Sequence, residues 1–137
     1  MSGKVFFDTN VLVYLYSSDE HEKRDKAVSL VENAGGIIST QVINELINVL
    51  HRKFNVEYGK IEMAVRELEN VFHVSTVTQE TIHRALVIGS GTGYSWFDSL
   101  IIASAIESGC DVLYSEDMRH NHTIDGTITI DNPFIVK

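Results

Sequence analysis

The sequence contains very little cysteine and proline, and it has no long hydrophobic run. Its single cysteine, Cys110, excludes an internal disulfide, and flanking Gly109 and Asp111 favour a small apolar packing residue over a nucleophile. No apolar run approaches the roughly 18 residues needed to cross a bilayer, and the N-terminus lacks the basic segment and apolar core of a secretory signal. We therefore expect a cytoplasmic protein with no membrane association and no redox chemistry.

Basic residues are also few, since 11 lysines and arginines stand against 19 acids and give a net charge of -8. A protein that binds nucleic acid over a broad basic surface has an excess of cations, so any such contact in this chain must be local. Carboxylates gathered in one cleft would add to the negative charge and attract divalent cations, and a bound cation reverses the local sign. The net charge therefore does not exclude an enzyme that acts on nucleic acid.

The chain has the length and composition of one globular domain, with 137 residues, 44% hydrophobic and 22% charged, which we assign to residues 1–137. Short apolar segments alternate with segments of helical periodicity. Strands are predicted at residues 5–7, 37–38, 71–77, 112–115 and 127–130, and helices at residues 11–16, 17–32, 41–53, 57–70, 78–90 and 95–107. The glycines in residues 89–93 predict a loop. This alternation predicts a mainly parallel sheet of four to five strands flanked by helices.

Asp8 directly follows the first predicted strand. Residues 5–7 are apolar without alternation, which is typical of a central strand buried on both faces. In open parallel sheets, ligands bind beyond the carboxyl ends of the strands, so an acid at this position is well placed to bind one. Alternatively, Asp8 or Asn10 only caps the helix that begins near Val11. Asn10 suits the capping role, which leaves Asp8 without an evident structural purpose.

Two further acids lie on predicted helices. Glu45 lies just outside the apolar arc of its helix, where it either points into a cleft or is an ordinary surface glutamate. Asp98 lies near the start of a helix that is apolar on every side, and a buried acid needs a partner or a cation. The other interpretation is a capping box formed by Ser95 and Asp98. A residue in the first turn can also serve both roles.

Asp117 follows the predicted strand at residues 112–115 just as Asp8 follows the first strand. If these two strands are neighbours, both acids project into one crevice, although a turn or a helix cap would also explain Asp117. Four converging carboxylates repel one another unless a cation is present. Carboxylate oxygens are the ligands that Mg²⁺ and Mn²⁺ prefer, and such a cation polarises a phosphodiester and activates water. The residues therefore favour metal-assisted phosphodiester hydrolysis.

Four segments that each contain an acid follow one another in the chain: Phe7-Asp8-Thr9-Asn10, Asn44-Glu45-Leu46, Trp96-Phe97-Asp98-Ser99-Leu100-Ile101 and Ser115-Glu116-Asp117-Met118. In this order and spacing they resemble the PIN-domain nucleases, and the length of the chain resembles the VapC-like toxins of toxin-antitoxin modules. The resemblance implies a three-layer α/β/α sandwich and an endoribonuclease that depends on Mg²⁺ or Mn²⁺. It also implies an RNA substrate, a homodimer and inhibition by a cognate antitoxin.

The resemblance also implies a role for each acid and for three polar neighbours. Asp8 and Asp98 would be the principal metal ligands, and the catalytic acids would be Asp8, Glu45, Asp98 and Asp117. Thr9, Asn10 and Ser115 would orient the ligands or water. Some relatives have another acid shortly after the fourth one, whereas this chain continues Met118-Arg119-His120-Asn121-His122. That departure weakens the case for a second metal ion.

Other functions are compatible with parts of the sequence. His120 and His122 are a weak zinc signature, because they lie in a loop without a thiolate or a helical pair. A response-regulator receiver domain has a similar length and alternation, but it needs paired acids where Asp8 stands alone. A non-catalytic PIN-fold module that binds RNA or protein is the main alternative, although all four acids are present. A nuclease of RNA processing without an antitoxin would share the same chemistry.

Overall fold

The computed structural model describes residues 3–135, which form six α-helices around a six-stranded sheet. The strands are β1 (Val5–Phe7), β2 (Ile37–Ser39), β3 (His73–Ser75), β4 (Val112–Tyr114), β5 (Thr123–Ile124) and β6 (Ile128–Asp131). The helices are α1 (Thr9–Val13), α2 (His21–Ala34), α3 (Thr40–Arg52), α4 (Tyr58–Val71), α5 (Gln79–Thr92) and α6 (Trp96–Glu107), and a 3-10 turn (Tyr14–Tyr16) follows α1. No helix within residues 3–135 is long and apolar enough to cross a membrane.

The strand order is β3-β2-β1-β4-β6-β5, which places the first strand near the middle of the sheet. β1 pairs in parallel with β2 on one side and with β4 on the other, and β6 continues the parallel set beside β4. The chain runs outward from β1 to β3 and then crosses back to β4. Because crossovers between parallel strands are generally right-handed, this reversal of direction places helices on both faces of the sheet. The predicted α/β class, with a mainly parallel sheet between helical layers, is confirmed.

The core explains why the strands lack an alternating pattern. Phe6, Phe7 and Leu113 are completely buried, because helices cover the sheet on both faces. The ring of Phe7 lies 5.4 Å from that of Phe72 and 5.3 Å from that of Tyr114. This packing anchors β1 between its neighbours and fixes the position at which the strand ends.

Several predicted boundaries differ from the structure. The predicted loop at residues 89–93 is wrong, because α5 continues to Thr92 and ends at Gly93, whose φ of 80° is the left-handed conformation that favours glycine. Gly89 lies against α6, where an added Cβ would be 3.0 Å from the Ser99 hydroxyl, so the glycine allows the two helices to approach closely. The strand predicted at residues 71–77 is limited to His73–Ser75, and β5 was not predicted.

Candidate active site

Asp8 lies at the junction of β1 and α1, and only 3% of its surface is exposed. Its backbone N–H donates to the carbonyl of Tyr114 on β4 at 2.9 Å, which holds the residue at the carboxyl end of the sheet. Its Oδ1 accepts from the Thr9 backbone N–H at 2.7 Å, so Asp8 is the N-cap of α1. The prediction that Asn10 takes the cap and leaves Asp8 without a structural purpose is wrong, since Asp8 itself caps a helix that begins at Thr9, and Asn10 lies in its first turn.

The second oxygen of Asp8 has two side-chain donors. Ser115, which is fully buried after β4, donates to Oδ2 from its hydroxyl at 2.8 Å. The Nδ2 of Asn10 donates to the same oxygen at 3.1 Å and to Oδ2 of Asp117 at 3.0 Å. Asn10 Oδ1 accepts from the Glu116 backbone N–H at 3.1 Å. Asn10 therefore connects Asp8 to the loop that carries Asp117.

Glu45 is held on α3 by a hydrogen bond to each of its carboxylate oxygens. The Thr9 hydroxyl donates to Oε1 at 2.7 Å, and the Gln41 amide donates to Oε2 at 2.9 Å. Glu45 is partly buried, because it faces the start of α1 across the end of the sheet. These contacts distinguish it from a freely solvated surface glutamate.

Asp98 lies in the first turn of α6 and is partly buried. The hydroxyl of Ser95, the N-cap, accepts from the Asp98 backbone N–H at 3.3 Å. The predicted cap is therefore formed by Ser95, while the Asp98 carboxyl group faces the same cavity as Asp8. The Ser95 half of the predicted capping box is present, and the role of the Asp98 carboxylate as a metal ligand stays a prediction.

A cavity of about 540 Å³ lies beyond the carboxyl ends of the strands. All four predicted acids line it, together with Thr9 and Asn10, and Ser115 lies beneath Asp8. Its wall also contains residues that the sequence analysis did not assign to the site: Val13, Tyr14, Asn48, Val49, Lys53, Phe97 and Glu116. Helical spacing from Glu45 could have indicated Asn48, whereas no sequence pattern separates Phe97 from the apolar residues of its helix.

Burial and like charge dominate the electrostatics of the cavity. Burial raises the pKa of Asp8 to about 7, hydrogen bonds from Ser115 and Thr9 oppose this shift, and the charges of Asp98 and Glu45 add to it. The pKa of Asp98 is also raised, first by burial and then by the charges of Asp117 and Glu45, while its contact with Ser95 opposes the shift. The acids therefore repel one another across the cavity, and a cation would relieve this repulsion.

The donor set of the cavity fits a hard divalent cation. Carboxylate oxygens are the preferred ligands of Mg²⁺ and Mn²⁺. Within residues 3–135, no three histidine, cysteine, aspartate or glutamate side chains form a group that could hold a metal ion by themselves.

The histidines after β4 do not fit the zinc alternative. The Nδ1 of His122 shares a hydrogen bond of 2.8 Å with the Tyr94 hydroxyl, and the Nδ1 of His120 accepts from the Asn132 backbone N–H at 2.9 Å. Neither ring belongs to a group of three histidine, cysteine or acidic side chains within residues 3–135 that could hold a metal ion. Both rings hold the loop that follows Asp117, and this structural role is sufficient to explain them.

The cavity and the fold have counterparts in known proteins. A family model described as the PIN domain matches residues 5–125. No curated protein sequence matches the chain significantly. A toxin-antitoxin complex from Klebsiella pneumoniae contains a chain 21% identical to this one, with 97% of this chain and 100% of that chain covered and a TM-score of 0.72.

Two further solved structures are similar. Mycobacterium tuberculosis VapC20, described as a toxin that cleaves the sarcin-ricin loop, is 23% identical over 83% of this chain and 90% of its own, with a TM-score of 0.68. The DNA-bound VapBC from Salmonella typhimurium is 17% identical over 93% and 96% of the two chains, with a TM-score of 0.65. At these identities the likeness establishes a shared fold.

Proposed function

Since the chain belongs to the PIN domain family, we propose that it is a metal-dependent endoribonuclease and the toxin of a toxin-antitoxin module. One observation carries the proposal: four acids from separate parts of the chain line a single cavity at the end of the sheet. An isolated cap or turn does not require three other acids nearby. A carboxylate-lined cavity is suited to hydrolysis of a phosphodiester bond.

The residues of the chain take distinct roles in this proposal. Asp8 and Asp98 would hold Mg²⁺ or Mn²⁺, and Glu45 and Asp117 would complete the acidic site. When bound, the cation would polarise the phosphodiester and lower the pKa of the attacking water. Asn10 and Ser115 would hold Asp8 in one orientation, as Thr9 does for Glu45, because their donors already engage these carboxylates.

The proposed partners are an RNA substrate and a protein antitoxin. Two of the similar structures are a toxin-antitoxin complex and a DNA-bound VapBC, which supports an antitoxin for this chain. The cytoplasmic location expected from the sequence belongs to this proposal, because cellular RNA is accessible there.

We also propose a homodimer. Ile82, Leu86 and Val87 lie close together on α5 and are 40%, 54% and 74% exposed. Burying this apolar surface against a second copy would remove it from water, which stabilises an assembly.

The decisive experiment is cleavage of a panel of structured RNAs by purified protein in Mg²⁺, Mn²⁺ or EDTA, beside an identically prepared Asp98→Asn variant. We expect cuts that require a metal and that are lost in the variant. Cuts that are equal in EDTA, or equal in the variant, would contradict the proposed chemistry. RNA binding without any cleavage would instead identify a non-catalytic module.

A further inference from the structure

Phe97 is a large apolar side chain in an unusual position. It is 57% exposed, lies immediately before Asp98 in the first turn of α6, and lines the cavity that the four acids share. Folding usually removes a phenylalanine from water because its burial is favourable. Its exposure at the mouth of a polar cavity therefore needs an explanation.

Packing within the protein does not supply that explanation. The cavity has a second aromatic residue, Tyr14, whose ring packs edge-on against Phe134 at 5.0 Å and lies 5.1 Å from the Lys23 ammonium. Tyr14 also donates to Glu116 at 2.5 Å, so both its ring and its hydroxyl are engaged. By contrast, the ring of Phe97 has no aromatic or cationic partner anywhere in residues 3–135.

The cavity wall has both polar and apolar parts. The four acids supply negative charge, Lys53 supplies a positive charge, and Val13, Val49 and Phe97 supply apolar surface. A nucleotide also has a polar part and an apolar part, because its phosphate is anionic and its base has an apolar π-face. The volume of about 540 Å³ is of the size that holds a small molecule, so one nucleotide unit fits better than an intact duplex.

We propose that Phe97 stacks on an unpaired base of the substrate, next to the phosphodiester that faces the acids. The stacked base must be unpaired, because a base inside a duplex already has neighbours on both faces. Lys53 would contact a backbone phosphate of the same strand. This inference rests on the proposed function and adds to it the residue that contacts a base beside the cleaved bond.

The test measures binding separately from cleavage. The probes are a fluorescein-labelled single-stranded RNA of ten random nucleotides and a ten-base-pair RNA duplex, titrated in EDTA and in Ca²⁺, with RNA integrity checked on a gel. Fluorescence anisotropy gives the dissociation constants for wild type, Phe97→Leu and Phe97→Trp. Trp96→Leu is the matched control, because Trp96 is a neighbouring aromatic that is 39% exposed and does not line the cavity.

We expect Phe97→Leu to weaken binding of the single strand at least about fivefold, the lower limit for loss of one base-aromatic stack. Phe97→Trp should bind as wild type, since it restores an aromatic face, and Trp96→Leu should change little. The duplex should bind more weakly than the single strand to wild type. Circular dichroism and melting temperature establish that every variant is folded.

Three results would overturn the inference: no measurable binding of the single strand by wild type, equal affinity of wild type and Phe97→Leu, or equal losses in Phe97→Leu and Phe97→Trp. These results are distinct from failure of the proposed function. RNA cleavage that does not depend on Phe97 would preserve the nuclease and reject the stacking role. Phe97-dependent binding without cleavage in any metal would preserve the stacking role and reject the nuclease.

Discussion

The side-chain amide of Asn10 lies 3.0 Å from the carboxylate of Asp117, a residue 107 positions later in the chain. The same amide donates to Asp8 at 3.1 Å. One neutral side chain thus lies between two carboxylates that would otherwise repel each other. It also connects the start of α1 to the loop after β4, so it contributes to both the shape and the electrostatics of the cavity.

Replacing this amide should destabilise the metal-free protein. We expect Asn10→Ala to lower the free energy of unfolding by about 1–2 kcal/mol, because it removes hydrogen bonds to two carboxylates at a partly exposed position. Urea denaturation monitored by circular dichroism measures the change. Asn48→Ala is the control, since Asn48 is exposed in the same cavity, and an equal effect of both variants would contradict the bridging role.

Neutralising either proposed metal ligand should abolish activity without lowering the stability of the fold. Asp8→Asn and Asp98→Asn should each abolish metal-dependent cleavage while leaving the metal-free fold as stable as wild type or slightly more stable, because repulsion among the acids decreases. Cleavage assays and thermal melts in EDTA measure the two effects, with Glu69→Gln on the exposed face of α4 as control.

The two variants also test the other interpretations of these positions. Retained cleavage in either variant would refute the assigned ligands. A clear loss of stability in metal-free Asp98→Asn would indicate that the carboxylate acts mainly in capping α6.

The metal-free protein should become less stable as pH rises from about 4 to about 7. The pKa of Asp8 is about 7 in the folded protein and 3.8 in the reference state, so folding favours the neutral acid and ionisation opposes it. Each tenfold difference in the protonation equilibrium corresponds to about 1.4 kcal/mol. Denaturation in EDTA at several pH values measures this slope, which should be smaller in Asp8→Asn.

Magnesium should stabilise the protein increasingly as pH rises, which opposes the loss of stability expected for the metal-free protein. Metal binding requires ionised carboxylates, so added Mg²⁺ should raise the melting temperature more at pH 8 than at pH 5. A stabilisation that is equal at both pH values would argue against binding through these acids.

Two glycines test the length of α5. Gly91 lies within the helix with open space around its Cα, so Gly91→Ala should stabilise the protein by about 0.5–1 kcal/mol through helix propensity. Gly89→Ala gains the same propensity but places a methyl group 3.0 Å from the Ser99 hydroxyl, so we expect a smaller gain or a loss. Thermal denaturation compares them, and destabilisation by Gly91→Ala would contradict a helical conformation there.

The parts of the fold that the sequence predicted depend on local patterns. Residues 5–7 form an uninterrupted apolar strand before an acid, and the structure places Asp8 at the end of that strand. Asp8 and Asp117 were expected to project into one crevice if β1 and β4 are neighbours. The sheet order makes these two strands neighbours. The catalytic and metal-binding roles of the acids stay predictions.

The parts that were missed depend on contacts between distant residues. Periodicity left Glu45 undecided, because one of the two donors that hold its carboxylate, the Thr9 hydroxyl, is 36 positions away in the chain. The glycines at residues 89–93 suggested a loop, but packing of α5 against α6 keeps most of them helical, which overrides their low propensity. β5 contains only two residues, too few for a periodic signal, and it forms by pairing with β6.

The central position of β1 also determines when the cavity can form during synthesis. The ribosome makes Asp8 early, but its hydrogen-bond partners Tyr114 and Ser115, and the fourth acid Asp117, are made more than 100 positions later. A nascent chain that ends before these residues lacks one wall of the cavity and one of its four acids. The complete site therefore arises only late in translation, when β4 has emerged and paired with a strand that was made at the beginning.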